Sequence, residues 1–199
     1  MFLSSENLLK FFYVAAIFLT NTFYFKSFSQ NTEMEHLRGL NVIELAGVCK
    51  IDPEILPLFP SIFPFKNKNW VSSVYGVRMH PINKVIKLHN GVDFACSKGS
   101  AIIATANGRV LKVEYGNPIT GNSVTVSHLE GYKTFYGHLE RIEVLPNALV
   151  VSGDVIGISG KSGKVTGPHL HYSIVKDGRS LDPLPYCFIA RYALEDKEN

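Results

Sequence analysis

Two residues with metal-binding side chains stand four positions apart in His89-Asn90-Gly91-Val92-Asp93. A spacing of four places His89 and Asp93 on the same side of a strand or of a helix. Gly91 and Val92 disfavour a helix, so a strand or a tight turn is the expected local structure. A histidine and a carboxylate that converge in this way form half of a site for a borderline metal such as zinc. A simple hydrogen bond between the two side chains would explain the same spacing.

A second group is His169-Leu170-His171, followed by a β-branched run. In a strand, residues i and i+2 share a face and their Cα atoms lie roughly 6.5–7 Å apart. His169 and His171 can therefore enter one cavity while Leu170 points into the core. One imidazole can bind a metal, and its neighbour can reach a water molecule on that metal. A solvent-exposed pair of histidines is the alternative.

Three further residues carry weaker signals. His138, in Tyr136-Gly137-His138-Leu139, ends a predicted strand, and a lone histidine there is more often structural than catalytic. It gains weight because the other two groups need a partner. His128 also follows a predicted strand and is expected to be exposed. Arg78 either contacts a substrate carboxylate or braces its own loop.

Together these groups resemble the lysostaphin-type (LytM-like) zinc endopeptidases, which cut peptidoglycan cross-bridges or stem peptides. The resemblance runs from about Val71 to Leu184. Several ordered motifs at compatible distances carry it, in addition to the three histidine groups: Ser73–Arg78, His80-Pro81, Gly99, Ala104–Val110, Gly153–Gly157, Gly167-Pro168 and Leu181-Asp182-Pro183.

The resemblance implies a role for each residue of the candidate site. His89, Asp93 and His171 would bind one zinc ion, which leaves the fourth zinc position for water, as in catalytic sites. His138 and His169 would flank that water as the catalytic pair. One of them would accept its proton, and the other would stabilise the oxyanion or protonate the leaving amine. Which histidine is the base stays open.

The implied function is a zinc-dependent endopeptidase that hydrolyses peptide bonds in peptidoglycan cross-links or stem peptides by attack of a metal-activated water. The alternative is a non-catalytic module that binds cell wall or activates a partner amidase. Non-catalytic members of the family typically lose one or more metal ligands, whereas all five positions are intact here. The bond that is cleaved stays open, since polyglycine bridges and D-amino-acid cross-links both need an extended groove.

The elements that must position these residues are short strands. From Trp70 onward, six β-branched runs are separated by Gly, Asn, Asp or Pro, and nothing in this region sustains helical periodicity for ten residues. They are Ala101–Ala106, Val110–Tyr115, Ser123–Ser127, Lys133–Tyr136, Val155–Ser159 and Leu170–Val175. Asn107-Gly108 predicts a tight hairpin between the first two. The pattern predicts an all-β, mostly antiparallel domain, and the resemblance implies the LytM-like, duplicated hybrid motif β-fold, with an open groove on a sheet and the metal on its floor.

The chain is predicted to have four parts. Residues 1–29 read as a secretory signal peptide, with an apolar stretch and small residues before Gln30, and an uncleaved membrane anchor is the alternative. Residues 30–70 are a proline-containing arm or linker, partly helical around Met34 to Val48, that could fold over the groove as an inhibitory segment. Residues 71–187 form the metallopeptidase domain, and residues 188–199 are a C-terminal tail. The expected location is therefore outside the cytoplasmic membrane, in the periplasm or at the cell wall.

Composition narrows the function classes. The 199 residues are 46% hydrophobic and 19% charged, which is typical of a globular protein. The net charge of +3 and the lack of a dense basic run disfavour nucleic acid as a partner. Cys49, Cys96 and Cys187 are an odd number, so either Cys49 and Cys187 form one disulfide or all three are free thiols.

Overall fold

The computed structural model describes residues 37, 39–66, 70–79 and 85–195. The chain divides into two units, Met1–Asn41 and Val42–Asn199, and the second contains all the elements below. The predicted signal peptide, residues 1–29, lies outside the described residues. Among the described residues, no helix has the length and apolar character needed to cross a membrane.

Antiparallel strands are the main regular structure of the second unit, which confirms the predicted fold class. The strands are β1 (Trp70–Ser73), β2 (Gly76–Met79), β3 (Ile86–His89), β4 (Val92–Ala95), β5 (Ala101–Ile103), β6 (Gly108–Asn117), β7 (Gly121–Ser127), β8 (Tyr132–Ile142), β9 (Leu149–Val150), β10 (Val155–Ser159), β11 (His169–Lys176) and β12 (Arg179–Leu181). The helices are α1 (Val42–Ile51), α2 (Pro183–Cys187) and α3 (Ile189–Leu194), with 3₁₀ turns at Pro53–Leu58 and Leu129–Gly131.

Ten of these strands form one sheet, in which β1, β4, β11, β8, β7, β6 and β9 lie side by side. Strand β10 pairs with β5 and β8, and β12 pairs with β11. Strands β2 and β3 form a separate two-stranded sheet. Every pairing is antiparallel. Along β4 and the first half of β11, buried residues alternate with half-buried ones, as expected for a sheet with one face on the core.

The core lies on one face of the central strands β4, β11 and β8. Phe94 and Tyr172 are fully buried there. Phe63 and Phe65 meet the ring of Phe94 edge to face, with centroids 6.0 Å and 5.6 Å apart. Edge-to-face pairs of this kind add about 0.5–1.5 kcal/mol each beyond the area they bury. This leaves the opposite face of the same strands free for the candidate site.

The segment before β1 belongs to this core. The Phe59 ring packs edge to face on Tyr132 at 5.8 Å, and the backbone amide of Ile103 donates to the carbonyl oxygen of Pro64 at 3.1 Å. None of the described residues 42–66 lines the cleft described below, so the inhibitory-arm hypothesis has no contact to support it there. The C-terminal segment predicted as a tail contains α3, with Ile189 and Ala193 buried. The domain limits themselves stay predictions.

The prediction of a tight hairpin at Asn107-Gly108 is wrong. Strand β5 pairs with β10 and β6 pairs with β7 and β9, so β5 and β6 do not pair with each other. Asn107 instead joins distant segments, because its amide donates to Pro57 O at 2.6 Å and its side-chain oxygen accepts from Ser152 N at 2.8 Å. Gly108 is required there for close approach, since a Cβ would overlap the carbonyl oxygen of Ser127.

The prediction that the His128 side chain is exposed is also wrong. Its Nδ1–H donates to the carbonyl of Asn107 at 2.8 Å, and Nε2 lies 2.7 Å from the hydroxyl of Thr134. Thr134 continues a chain of buried hydroxyls through Tyr136 to Thr105. Burial lowers the pKa of His128 to about 4, against the opposing effect of its hydrogen bond to Asn107.

All three cysteines are free thiols, so the alternative of a disulfide between Cys49 and Cys187 is not formed. Both of these thiols are buried, and burial raises the pKa of each. Cys96 is half-buried and does not line the cleft.

Candidate functional site

The His89–Asp93 spacing is realised as strand, turn and strand. Strand β3 ends at His89, Asn90-Gly91 turns, and β4 carries Asp93 into the main sheet. The Nδ1–H of His89 donates to the carbonyl oxygen of Val74 at 2.8 Å. Because a carbonyl can only accept, this bond leaves the Nε2 lone pair of neutral His89 facing the site.

The register of the sheet brings the second group to the first. His171 on β11 lies directly opposite Asp93 on β4 and opposite Gly137 on β8. Directly paired residues of antiparallel strands place their side chains on the same face. Three neighbouring strands therefore carry the candidate residues onto one face of the sheet.

Three atoms that could act as metal ligands converge at this point. Oδ1 of Asp93 lies 2.8 Å from Nδ1 of His171 and 3.1 Å from Nε2 of His89, and these two nitrogens lie 3.1 Å apart. The three residues form a group of ligand atoms within 4.8 Å of one another that could hold a metal ion. All three are half-buried, which limits access of solvent to the site.

Electrostatics keep Asp93 ionised. Burial by itself raises the pKa of this carboxyl group, but the His171 and His89 rings, which in their protonated form donate hydrogen bonds to it and carry positive charge beside it, outweigh burial and hold the pKa well below its usual range. The other carboxylate oxygen, Oδ2, faces Arg78, whose Nη2 lies 3.6 Å away. The sequence allows Arg78 either to contact a substrate carboxylate or to brace its own loop. The structure shows its guanidinium in contact with a carboxylate of the protein itself, that of Asp93.

His138 reaches the site through a β-bulge in β8. Tyr136 lies opposite Val124 and Leu139 lies opposite Asn122, so three steps along β8 span only two along β7. In a regular strand His138 would share the core face with Tyr136. The extra residue turns His138 outward, with φ at 64°, while Tyr136 and Leu139 both stay fully buried.

The two histidines outside the ligand group lie side by side. The rings of His138 and His169 have centroids 4.7 Å apart, and Nε2 of His169 lies 3.9 Å from Oδ1 of Asp93. Nδ1–H of His138 donates to Ser162 O at 2.9 Å, and Nδ1–H of His169 donates to Gly167 O at 2.9 Å. Each neutral ring therefore offers its Nε2 as a proton acceptor. Burial lowers the pKa of His138 to about 4, against the hydrogen bond to Ser162, so this ring is neutral at pH 7.

All five candidate residues line one cleft of about 350 Å³. Its walls also contain residues to which the sequence analysis assigned no chemical role: Lys87, Leu88, Asn90, Ile119, Thr120, Lys164, Val165 and Thr166. These residue types are common on any protein surface. In the sequence, only the glycine-rich loops around them could have indicated that they line the cleft. Among the described residues that line the cleft, Asp93 is the one carboxylate.

The comparisons with known proteins agree with this geometry. Residues 87–183 match Peptidase family M23. The peptidoglycan DD-endopeptidase ShyA of Vibrio cholerae serotype O1 is 37% identical over 123 residues, which are 61% of this chain and 28% of ShyA. The chain spans little more than a quarter of the length of the curated relatives that it matches.

Two solved structures share the fold. A zinc-containing peptidase from Vibrio cholerae superposes with a TM-score of 0.58 at 34% identity, covering 61% of this chain and 38% of that one. LytU superposes with a TM-score of 0.54 at 31% identity, covering 61% of this chain and 86% of that one. The LytM-like β-fold implied by the sequence motifs is thereby confirmed.

Proposed function

Because this chain belongs to peptidase family M23, we propose that it is a zinc-dependent endopeptidase that hydrolyses peptide bonds in the cross-links or stem peptides of peptidoglycan. The observation that carries the proposal is the convergence of Nε2 of His89, Oδ1 of Asp93 and Nδ1 of His171, with two further histidines beside them. The relative named a peptidoglycan DD-endopeptidase supports the substrate class.

The donor set fits a zinc ion. Two imidazole nitrogens and one carboxylate oxygen are typical zinc ligands, and bonds of about 2.0–2.1 Å in a tetrahedron keep ligand atoms about 3.3 Å apart. The separations of 2.8–3.1 Å among the three atoms are close to that value. We assign His89, Asp93 and His171 as the ligands of one zinc ion per chain. Three protein ligands leave a further position for water or substrate, as in catalytic sites.

When bound, zinc would lower the pKa of a water molecule toward about 7 and polarise the carbonyl group of the scissile bond. The protein's own contribution comes from His138 and His169. Each holds its Nδ1 proton on a backbone carbonyl and directs Nε2 into the cleft. A neutral ring can accept a proton there, and a protonated ring can donate it to the leaving amine. With centroids 4.7 Å apart, both rings can serve the same reacting group.

Digestion of defined muropeptides tests the proposal. Purified full-length protein is loaded with zinc and incubated with cross-linked muropeptides and with pentaglycine-bridged ones, and the products are identified by mass. A new amine and a new carboxyl terminus at a peptide bond are expected, and their abolition by a chelator and restoration by zinc would support metal dependence. Binding to cell wall without any product would contradict the endopeptidase and favour the non-catalytic alternative.

We also propose that the protein acts outside the cytoplasmic membrane, after removal of residues 1–29. Substrate class and the apolar N-terminal stretch support this location. Sequencing the N-terminus of the protein recovered from cells is the test. A mature chain beginning at Gln30 is expected, and a chain that retains Met1 in the membrane fraction would support the anchor instead.

A further inference from the structure

Two loops meet beside the bulge that carries His138. One contains residues 118–120 and connects β6 to β7, and the other contains residues 160–165 and follows β10. The Ser162 hydroxyl ties the second loop to the neighbouring strands, because it donates to the carbonyl oxygen of Leu139 on β8 at 2.6 Å and accepts from the amide of Asn122 on β7 at 2.9 Å. The amide of Lys164 also donates to Ile119 O at 3.0 Å.

His138 is held by both loops. Its ring donates Nδ1–H to the carbonyl of Ser162 at 2.9 Å, and its backbone amide donates to the carbonyl of Thr120 at 2.9 Å. A histidine at φ 64° occupies the left-handed region, which a residue other than glycine keeps only when its surroundings hold it. The bulge therefore directs His138 to the cleft, and the two loops hold it there.

We propose that Ser162 is a positioning residue for His138. Its carbonyl selects the tautomer with hydrogen on Nδ1, so that Nε2 faces the cleft, and its hydroxyl fixes that carbonyl by tying the loop to Leu139 and Asn122. The inference rests on the proposed function for the role of His138, but the hydrogen bonds and the tautomer are independent of it. Partners that orient a functional histidine in this way typically contribute about 10- to 100-fold to the property they support.

Gly121 is the second part of this arrangement. A Cβ at this position would overlap the Ser162 hydroxyl and its backbone carbonyl group, so only glycine lets the two loops approach this closely. The residue also lies at φ +66°. Gly116, at φ +65°, would have no atom within 4 Å of an added Cβ, so it offers the same backbone strain without the overlap. A comparison of variants at Gly121 and Gly116 therefore separates the effect of backbone strain from the effect of displacing Ser162.

The first experiment compares Ser162→Ala with Ser159→Ala in the zinc-loaded full-length protein. Ser159 makes an equivalent pair of bonds, donating to Ser97 O at 2.7 Å and accepting from Ser100 N at 2.9 Å, and does not line the cleft. Both variants lose the hydrogen bonds of a buried or half-buried hydroxyl, so both should lower the melting temperature. Only Ser162→Ala should lower kcat, by about 10- to 100-fold with KM little changed. Zinc content should stay at the wild-type level in both.

Nitrogen-15 NMR of the imidazoles gives a readout that a merely structural role would not move. The His138 signals are assigned by their loss in His138→Gln. In the wild type we expect Nδ1 to carry the proton, and in Ser162→Ala we expect the two tautomers to mix. Retention of a pure Nδ1–H tautomer together with wild-type kcat in Ser162→Ala would overturn the proposal.

The second experiment compares Gly121→Ala with Gly116→Ala. Gly121→Ala should reproduce the loss of kcat and the mixed tautomer of Ser162→Ala, whereas Gly116→Ala should show only a loss of stability. Equal behaviour of the two glycine variants would overturn the role assigned to the loop contact. If the wild type cleaves no muropeptide, the proposed function fails, while the tautomer comparison still decides the role of Ser162.

Discussion

Gly91, in the turn between His89 and Asp93, is the position where a single methyl group should disturb the candidate metal site most directly. A Cβ on Gly91 would lie 2.8 Å from Cε1 and 2.9 Å from Nε2 of His171, and it would overlap the carbonyl oxygen of Tyr172. Gly91 does not lie at positive φ, so Gly91→Ala adds no backbone strain of that kind and acts through the overlap alone.

The size of the effect follows from these distances. Carbon atoms in contact prefer a separation of about 3.5–4.0 Å, so the His171 ring has to move by roughly 0.6 Å or more. Its Nδ1 lies only 2.8 Å from Oδ1 of Asp93, and metal–ligand distances tolerate about 0.2 Å. We expect the zinc affinity to fall by about 10- to 100-fold, and overpacking to cost about 1–3 kcal/mol of unfolding free energy.

Competition with a fluorescent zinc chelator measures the affinity, and thermal unfolding of the chelated protein measures the stability. Gly47→Ala is the control, because Gly47 lies in helix α1 with nothing within 4 Å of an added Cβ. It should leave zinc binding unchanged and raise the unfolding free energy by about 0.5–1 kcal/mol. A Gly91→Ala protein that binds zinc as tightly as the wild type would refute the assigned role of His171.

Three further predictions concern the histidines. His171→Ala should lose zinc affinity by more than about 100-fold in the same competition assay, and one equivalent of tightly held zinc would sink the ligand assignment. His138→Ala should keep its zinc but lose about 10²- to 10⁴-fold in kcat on muropeptides, and an unchanged kcat would exclude a catalytic role. His128 has its pKa lowered to about 4 from about 6.5 in the unfolded chain, so the stability it contributes is present above pH 6.5 and is lost as the pH falls toward 4. Between pH 7 and 4, denaturant unfolding of the wild type should therefore lose up to about 3 kcal/mol more than that of His128→Gln, and equal losses would contradict this.

Six of the twelve described strands could be predicted, because each overlaps a β-branched run long enough to show a pattern. The predicted run Val155–Ser159 coincides with β10, and the predicted run Leu170–Val175 lies within β11. Strands β1 to β4 have four residues each, which is too short for a period-two pattern to stand out. The Asn107-Gly108 hairpin failed for a different reason. Its turn chemistry is local, but the partner of each flanking strand is set by hydrogen bonds to segments far along the chain.

Local sequence also did not show which polar groups are buried or bonded to each other. A histidine after a strand looks exposed in sequence, yet His128 is enclosed by Asn107 and Thr134, which lie in other segments. Cys49 and Cys187 satisfied the counting argument for a disulfide, but a cysteine count carries no information about the distance or direction that a bond requires.

Sequence alone determined the candidate side chains. The spacings of four and two indicated His89, Asp93, His169 and His171, because they fix which neighbours share a face of one short element, and the family resemblance added His138. Tertiary structure alone decided how they meet. The register between β4, β11 and β8 sets His171 opposite Asp93. The bulge turns His138 out of the core, and backbone carbonyls such as Ser162 O choose the nitrogen that each ring presents. These features depend on contacts between segments that are distant in sequence, such as His138 with Ser162, 24 positions apart, and His171 with Asp93, 78 positions apart, which no local spacing encodes.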